Sequence, residues 1–264
     1  MFKTRLLSGI LLVAVALLTI MSGGYVLFFT LLGVSVIGMQ ELYKAMKVRG
    51  DGFNILEITG YLGAVIYYMA AMLDFERYGM MALLTALILL MFVYVFTYPK
   101  YQAGQVMAAF FGVVYVACML SFIYLTRNLP DGKFIVWLIF LCSWGCDTCA
   151  YCVGMLIGKH KMAPVLSPKK SVEGAVGGVA GAALLGVAYG AAIHGPMLEY
   201  ALICAIGALI SMVGDLAASA IKRNQGIKDY GKLIPGHGGI LDRFDSVIFT
   251  APIIYFLAKT LLGI

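Results

Sequence analysis

Ser219-Ala-Ile-Lys-Arg-Asn-Gln-Gly-Ile-Lys-Asp-Tyr-Gly-Lys-Leu-Ile-Pro-Gly-His-Gly-Gly-Ile-Leu-Asp-Arg-Phe-Asp-Ser246 gathers Lys222, Arg223, Lys228, Asp229, Lys232, His237, Asp242, Arg243 and Asp245 in a chain of which only 12% is charged. The glycines of Gly236-His-Gly-Gly239 leave backbone N–H groups uncovered and free to adopt positive φ, which suits close approach to phosphate oxygens. Flanking lysines and arginines supply positive charge, and the aspartates are suited to a divalent cation. On both sides the sequence turns apolar over membrane-spanning lengths. The stretch therefore reads as a polar connection between two membrane helices and as a metal-and-phosphate site.

Composition supports the membrane reading. With 62% apolar residues and a mean hydropathy of +0.95, the chain lies far outside the soluble globular range. A hydrocarbon core of about 30 Å takes about 20 apolar residues in a helix, and only helices and closed barrels span it. The apolar runs have the helical length, so the fold class is an all-α polytopic membrane protein. Nine spans are expected, at 5–22, 25–43, 55–73, 79–98, 104–126, 133–157, 174–193, 197–221 and 246–263. The first resembles a signal peptide as much as a span, but no small-x-small cleavage site follows it, so an uncleaved helix is expected.

The net charge of +6 needs no nucleic-acid partner. It follows from a positive-inside bias. With a cytoplasmic N-terminus, Lys3, Arg5, Lys44, Lys47, Arg49, Lys100, Lys159, Lys161, Lys169, Lys170, Lys222, Arg223, Lys228, Lys232 and Arg243 fall inside, leaving Arg77, Arg127, Lys133 and Lys259 outside. Both long connections, Gly158 to Glu173 and Lys222 to Asp245, then face the cytoplasm, and the C-terminus faces out. The expected address is a cell membrane, the bacterial cytoplasmic membrane, with the active site on its cytoplasmic side. One membrane domain, 1–264, is expected, with 1–130 as scaffold spans and 131–264 as catalytic spans and loops. In the first part, Glu41 and Glu57 read as interfacial anchors near Lys44 and Arg49, and Gly33 and Gly38 as helix-packing positions.

The second part carries the chemistry. Asp147 falls near the middle of a span, where an ionisable group marks a functional site by default. Ser143, Asp147 and Tyr151 are spaced to share one helix face, as are Ser211, Asp215 and Ser219, with Lys222 one turn beyond. Asp215 is open to a structural pairing with Lys222 or to a site shared with the glycine-rich stretch, and the shared site is favoured. Ser167, Lys169, Lys170 and Ser171 precede a helix start that is suited either to holding a phosphate or to plain N-terminal helix chemistry. Cys146, Cys149 and Cys152 have half the spacing of a zinc site but no second ligand pair, so zinc is not expected. Carboxylates with few histidines and phosphate partners favour Mg2+. His194, with Gly195-Pro196, reads as a turn residue.

These residues resemble the signature of the phosphatidate cytidylyltransferase (CDP-diacylglycerol synthase) family. The resemblance rests on Ser219, Lys222-Arg223, Lys228-Asp229, Pro235, His237-Gly238-Gly239, Asp242-Arg243 and Asp245, which match without a gap. The Asp147-Thr-x-Ala-Tyr-x-x-Gly154 run, Gly158-Lys-His-Lys, Ser167-Pro-x-Lys-x-x-Glu-Gly174 and Gly214-Asp215-Leu216 extend it over roughly 140–246. Two departures are visible: Met155 stands where similar proteins often carry Lys or Arg, and Ser171 replaces the usual Thr. The resemblance implies transfer of CMP from CTP to phosphatidate with Mg2+, giving CDP-diacylglycerol and pyrophosphate, and a homodimer in the membrane lipid. It implies catalytic roles for Asp215, Asp242, Lys222, Arg223 and Asp245, with Asp215, Asp242 and Asp245 as metal ligands. Substrate binding is then expected from Ser167, Lys170, Glu173, Ser219, Lys228, Asp229, His237, Gly238, Gly239, Arg243, Asp147 and Tyr151.

Two other classes remain open on the residues alone. A CTP-dependent kinase, or a cytidylyltransferase of another membrane lipid, would share the carboxylates and basic loops, and a kinase would release CDP rather than pyrophosphate. An ion-coupled transporter would use Asp147 and Asp215 as a cation path, but two basic loops on one side and the lack of inverted halves speak against it.

Overall fold

The apolar runs fold as helices, as their length and composition dictate. A computed structural model describes residues 2–48, 54–236 and 238–264, with the side chains of 2–7 outside the description. Arg49 and the candidate His237 therefore lie outside the described residues. In chain order the helices are α1 (Phe2–Ser22), α2 (Gly24–Ala45), α3 (Ile55–Phe96), α4 (Ala103–Arg127), α5 (Gly132–Ile157), α6 (Val172–Ile193), α7 (Met197–Asn224) and α8 (Leu241–Leu261). Seven of them, α2 to α8, are long and apolar enough to cross a membrane.

The 42 residues of α3 are not one rod. At Asp74 the backbone leaves helical geometry (φ −166°, ψ 100°), and the Asp74 carboxylate accepts the Arg77 N–H at 3.1 Å, capping the second half. A β-carbon on Gly63 would lie 2.9 Å from that of Ala86. On a straight helix these positions would be about 35 Å apart at 1.5 Å per residue, so the two halves fold back on each other. The break falls between the expected spans 55–73 and 79–98.

The helices fall into two compact units, Met1–Tyr124 with Asp229–Arg243, and Leu125–Lys228 with Phe244–Ile264. In the first unit Tyr43 is fully buried, and its hydroxyl donates to the Ala109 carbonyl at 2.7 Å. Gly60 and Gly112 make room for its ring, since a β-carbon at either would collide with it. Ser35 and the Tyr68 hydroxyl share a buried hydrogen bond of 2.8 Å. Gly38 packs as expected, with its β-position 3.0 Å from Val116, whereas Gly33 faces open space.

The interfacial-anchor reading of Glu41 and Glu57 is corrected here. Glu57 is 1% exposed and accepts the Tyr61 hydroxyl at 2.5 Å. Glu41 is also buried, and its oxygens accept the backbone N–H groups of Ile240 at 3.0 Å and Leu241 at 2.9 Å. A carboxylate taken from water needs hydrogen-bond partners, and at both positions the fold supplies them from one helix turn away or from a distant loop.

In the second unit α5, α6 and α7 pack through glycine. Along α6, β-carbons at Gly174, Gly178 and Gly181 would lie 2.8 Å from the Ala150 carbonyl, 2.9 Å from the Ala150 side chain and 2.6 Å from Cys149. At Gly186 the clash would be with the Tyr200 carbonyl, at 2.6 Å, on α7. Small residues let helix backbones approach closely where lipid provides no hydrophobic drive between helices. The cysteines of α5 belong to this packing: Cys146 is buried and, with Cys149, lies against glycines of α6.

The connection from Gly158 to Glu173, expected as a basic loop, contains a small antiparallel hairpin, β1 (Lys161–Ala163) and β2 (Ser167–Ser171), pairing Lys161 with Ser171 and Ala163 with Ser167. Its base is tied by the Val172 N–H to the His160 carbonyl at 2.9 Å. His194 ends α6 in the left-handed region (φ 56°), the turn role expected of it.

Candidate active site

Strand β2 delivers the chain to α6, where Ser171 is the N-cap and its hydroxyl accepts the Gly174 N–H at 3.1 Å. That cap satisfies one of the first N–H groups of the helix and fixes its end. The end opens on a cavity of about 480 Å³. Asp147, Ala150, Tyr151 and Gly154 of α5 form one wall at helical spacing, and Met212 and Asp215 of α7 form another. Ser167, Lys169, Lys170 and Ser171 come from β2, and Gly174 and Ala175 from the first turn of α6.

One pair of charges in this cavity joins two elements. The Lys170 ammonium makes an ion pair with the Asp215 carboxylate, with side-chain exposures of 24% and 26%. Among the described residues, the ion-pair partner of Asp215 is Lys170. Asp245, on α8, accepts the Ser246 N–H at 2.8 Å and lies within electrostatic range of Asp215, Lys222 and Asp147. Lys222 is 8% exposed at the end of α7, while Arg223 is exposed and donates to the Ile227 carbonyl at 3.1 Å. Ser219 is half-buried, and Lys228 and Asp229 are exposed. Carboxylates, a helix N-terminus and lysines around one opening are what a polyanion with a counter-cation requires.

Several expected placements change. Ser143 does not share the cavity face with Asp147 and Tyr151: it is fully buried and donates to the Ile139 carbonyl at 2.8 Å. A π-helical turn over Leu141–Gly145 shifts the helix register just before Asp147. Glu173 does not line the cavity. Its carboxylate accepts the N–H groups of Lys159 at 3.0 Å and His160 at 3.2 Å and pairs with the His160 ring at 2.6 Å. It ties the base of the hairpin instead. Met155, at the departure from the family pattern, lines the cavity and is 67% exposed.

The glycine-rich stretch belongs to the first unit from Asp229 to Arg243. Asp242 is 5% exposed, and one of its oxygens accepts the N–H groups of Tyr230 at 2.8 Å and Gly239 at 3.0 Å. The Gly239 donor, expected to face phosphate, is thus used inside the loop. Gly238 takes φ +91°, the positive value for which glycine is suited, and its carbonyl accepts the Ile234 N–H at 2.9 Å. Arg243 is half-buried. Among the described residues no three His, Cys, Asp or Glu side chains are gathered to hold a metal ion.

The residue that sequence reading missed is Glu41. Its place near a span end gave no sign of its partners, which lie 199 and 200 residues further along.

The cavity thus sets carboxylates and lysines at a helix N-terminus, among helices long and apolar enough to cross a membrane. The chain belongs to the cytidylyltransferase family, whose model matches residues 3–261. It is 31% identical over 266 residues to a phosphatidate cytidylyltransferase of Bacillus subtilis, covering 97% of both chains. It is 32% identical over 263 residues to one of Staphylococcus aureus, covering 97% of this chain and 98% of that one. A phosphatidate cytidylyltransferase of Synechocystis is 43% identical over 140 residues, 52% of this chain and 47% of that protein.

Proposed function

We propose that this chain transfers CMP from CTP to phosphatidate, releasing pyrophosphate and forming CDP-diacylglycerol. The observation that carries the reading is the cavity in which Asp147 and Asp215 meet Lys169 and Lys170 at the start of α6. Relatives named for this activity align with nearly the whole chain.

A phosphate monoester with second pKa about 6 is already largely dianionic at neutral pH. One of its oxygens attacks the α-phosphorus of CTP directly. The new bond joins phosphatidate oxygen to the α-phosphorus, the bond from that phosphorus to the β-bridging oxygen breaks, and its electron pair leaves on pyrophosphate. No strong general base is needed. What the chain must do is hold three anionic groups together. Lys170, with Lys169 and the N–H end of α6, neutralises phosphate oxygens at the cavity. Lys222, Arg223, Lys228 and Arg243 neutralise the rest, and Ser167, Ser219 and Tyr151 offer hydroxyls. Such fixed charges act where charge develops.

Carboxylate oxygens suit Mg2+ by chemical type, although among the described residues no three such side chains are gathered around one point. Asp215 presents hard oxygens to a cation, and the Lys170 ammonium stands where a cation is wanted. The ligand roles proposed from the sequence motif alone are those of Asp215, Asp242 and Asp245, with Asp147 next in role. Asp242 would take that role with a carboxylate that two backbone N–H groups already orient. When bound, the metal offsets the charge that gathers on the phosphates and the leaving group.

The break in α3 supports reading it as two crossings, which with α1 brings the total to nine. The distribution of basic residues supports a cytoplasmic N-terminus, an external C-terminus and a cavity that opens to the cytoplasm, where CTP is found. A homodimer is the expected assembly.

CTP radiolabelled at its α-phosphate, supplied to purified protein with phosphatidate and Mg2+, should give labelled CDP-lipid and unlabelled pyrophosphate. Lipid phosphate with CDP would establish a kinase instead, and cation flux in proteoliposomes without CTP would establish a transporter.

A further inference from the structure

We propose that Glu41, in the part of the chain expected to be scaffold, is a positioning residue for the transfer, acting by clamping the loop that carries Asp242. The inference rests on the activity proposed above. Glu41 reaches from α2 to the first turn of α8, and its two oxygens accept the Ile240 and Leu241 N–H groups at 3.0 and 2.9 Å. Asp242 accepts the Tyr230 and Gly239 N–H groups at 2.8 and 3.0 Å. Two carboxylates therefore close the loop from both ends, satisfying four backbone donors that would otherwise be buried without acceptors. The positive end of α8 favours negative charge at this place.

The loop is shaped to receive the Glu41 side chain. A β-carbon at Gly231 or Gly239 would collide with its carboxylate. Neither glycine carries a positive φ, so closeness to Glu41, rather than backbone conformation, is what excludes a side chain at these two positions. Glu41 itself is 9% exposed, and both of its oxygens are taken by backbone N–H groups. Its effect passes through the backbone of residues 239–241 to the orientation of the Asp242 side chain.

The test uses purified full-length protein and two readouts. Amide hydrogen exchange over residues 228–243 should rise in Glu41→Ala and, to a smaller degree, in Glu41→Gln, which keeps one accepting oxygen. That result stands whether or not the substrate assignment is right, and unchanged exchange in both variants overturns the clamp. In the CTP and phosphatidate assay, kcat should fall about a hundredfold in Glu41→Ala, the size expected for an ångström-scale misplacement, and about tenfold in Glu41→Gln. The KM for phosphatidate should change little. Gly239→Ala should be damaging in the presence of Glu41 and add little in the Glu41→Ala background, because the clash is gone. A merely structural role would instead lower the yield of folded protein at constant kcat per folded molecule, and that outcome overturns the proposal. Wild-type protein that makes no CDP-lipid, with exchange still rising in the variants, would refute the activity while leaving the clamp in place.

Discussion

Carboxylates in the two units are used in opposite ways. Around the glycine-rich loop, Glu41 and Asp242 turn oxygens to backbone N–H groups. Around the cavity of the second unit, Asp147 and Asp215 face an opening, and Asp215 meets a side-chain ammonium rather than a backbone group. Burial follows the same division, with Glu41 and Asp242 buried and Asp147 and Asp215 partly open. So does partner chemistry. A carboxylate bound to backbone N–H groups fixes the chain in one shape, while a carboxylate paired with a lysine at a cavity wall can exchange that partner for a ligand's counter-charge.

The largest effects should come from the cavity. Asp215→Asn keeps the shape and removes the charge, and CDP-lipid formation should drop by a factor of about a thousand or more while the protein stays monodisperse in detergent. Activity near wild type would break the contrast at its strongest point. Asp242→Asn sharpens it. Asparagine keeps one oxygen able to accept the Tyr230 or Gly239 N–H, so a residue that only held backbone would survive the change with modest loss. We expect activity to fall to background, which gives Asp242 a role toward substrate or metal in addition to its loop bonds.

Next in size is Lys170→Met, for which kcat/KM for CTP should fall by about a hundredfold, with partial recovery in Lys170→Arg. Steady-state kinetics across CTP concentrations would measure both. Glu173→Gln should act more weakly and mainly on KM for CTP, because its bonds hold the base of the hairpin and not the cavity wall. A kcat loss as deep as that of Asp215→Asn would put Glu173 among the cavity carboxylates after all. The smallest change should be Ser171→Ala, which removes an N-cap worth about 1 kcal/mol and should lower Tm by about 2–4 °C in a thermal melt.

The helices were legible because long apolar runs have few other ways to fold in lipid, and even the turn inside α3 fell where the polar cluster around Asp74 interrupts the hydropathy. That Asp147, Tyr151, Ser167, Lys170 and Asp215 would line one cavity was legible because ionisable or hydroxyl groups stood at helical spacing or just ahead of a helix start. Local irregularity hid Ser143, since a single π-helical turn rotates what a uniform 100° per residue would align. Glu41 was hidden for a different reason. Its role depends on which backbone arrives beside it, and nothing within its own helix announces a loop 200 residues away. The charge of Glu173 is visible in sequence, whereas the two N–H groups that it accepts at the base of the hairpin are not.

The glycines of α6 have a consequence for how this gene can drift. Because a β-carbon at Gly174, Gly178, Gly181 or Gly186 would lie under 3.0 Å from a neighbour, the smallest addition there is felt immediately, while Val176 and Leu184 on the same helix are exposed and have room to vary. A saturation scan across residues 172–193 should therefore read like a barcode, with dark lines at the glycines and pale ones between them. Tolerance to change along this helix should thus track how near its neighbours stand.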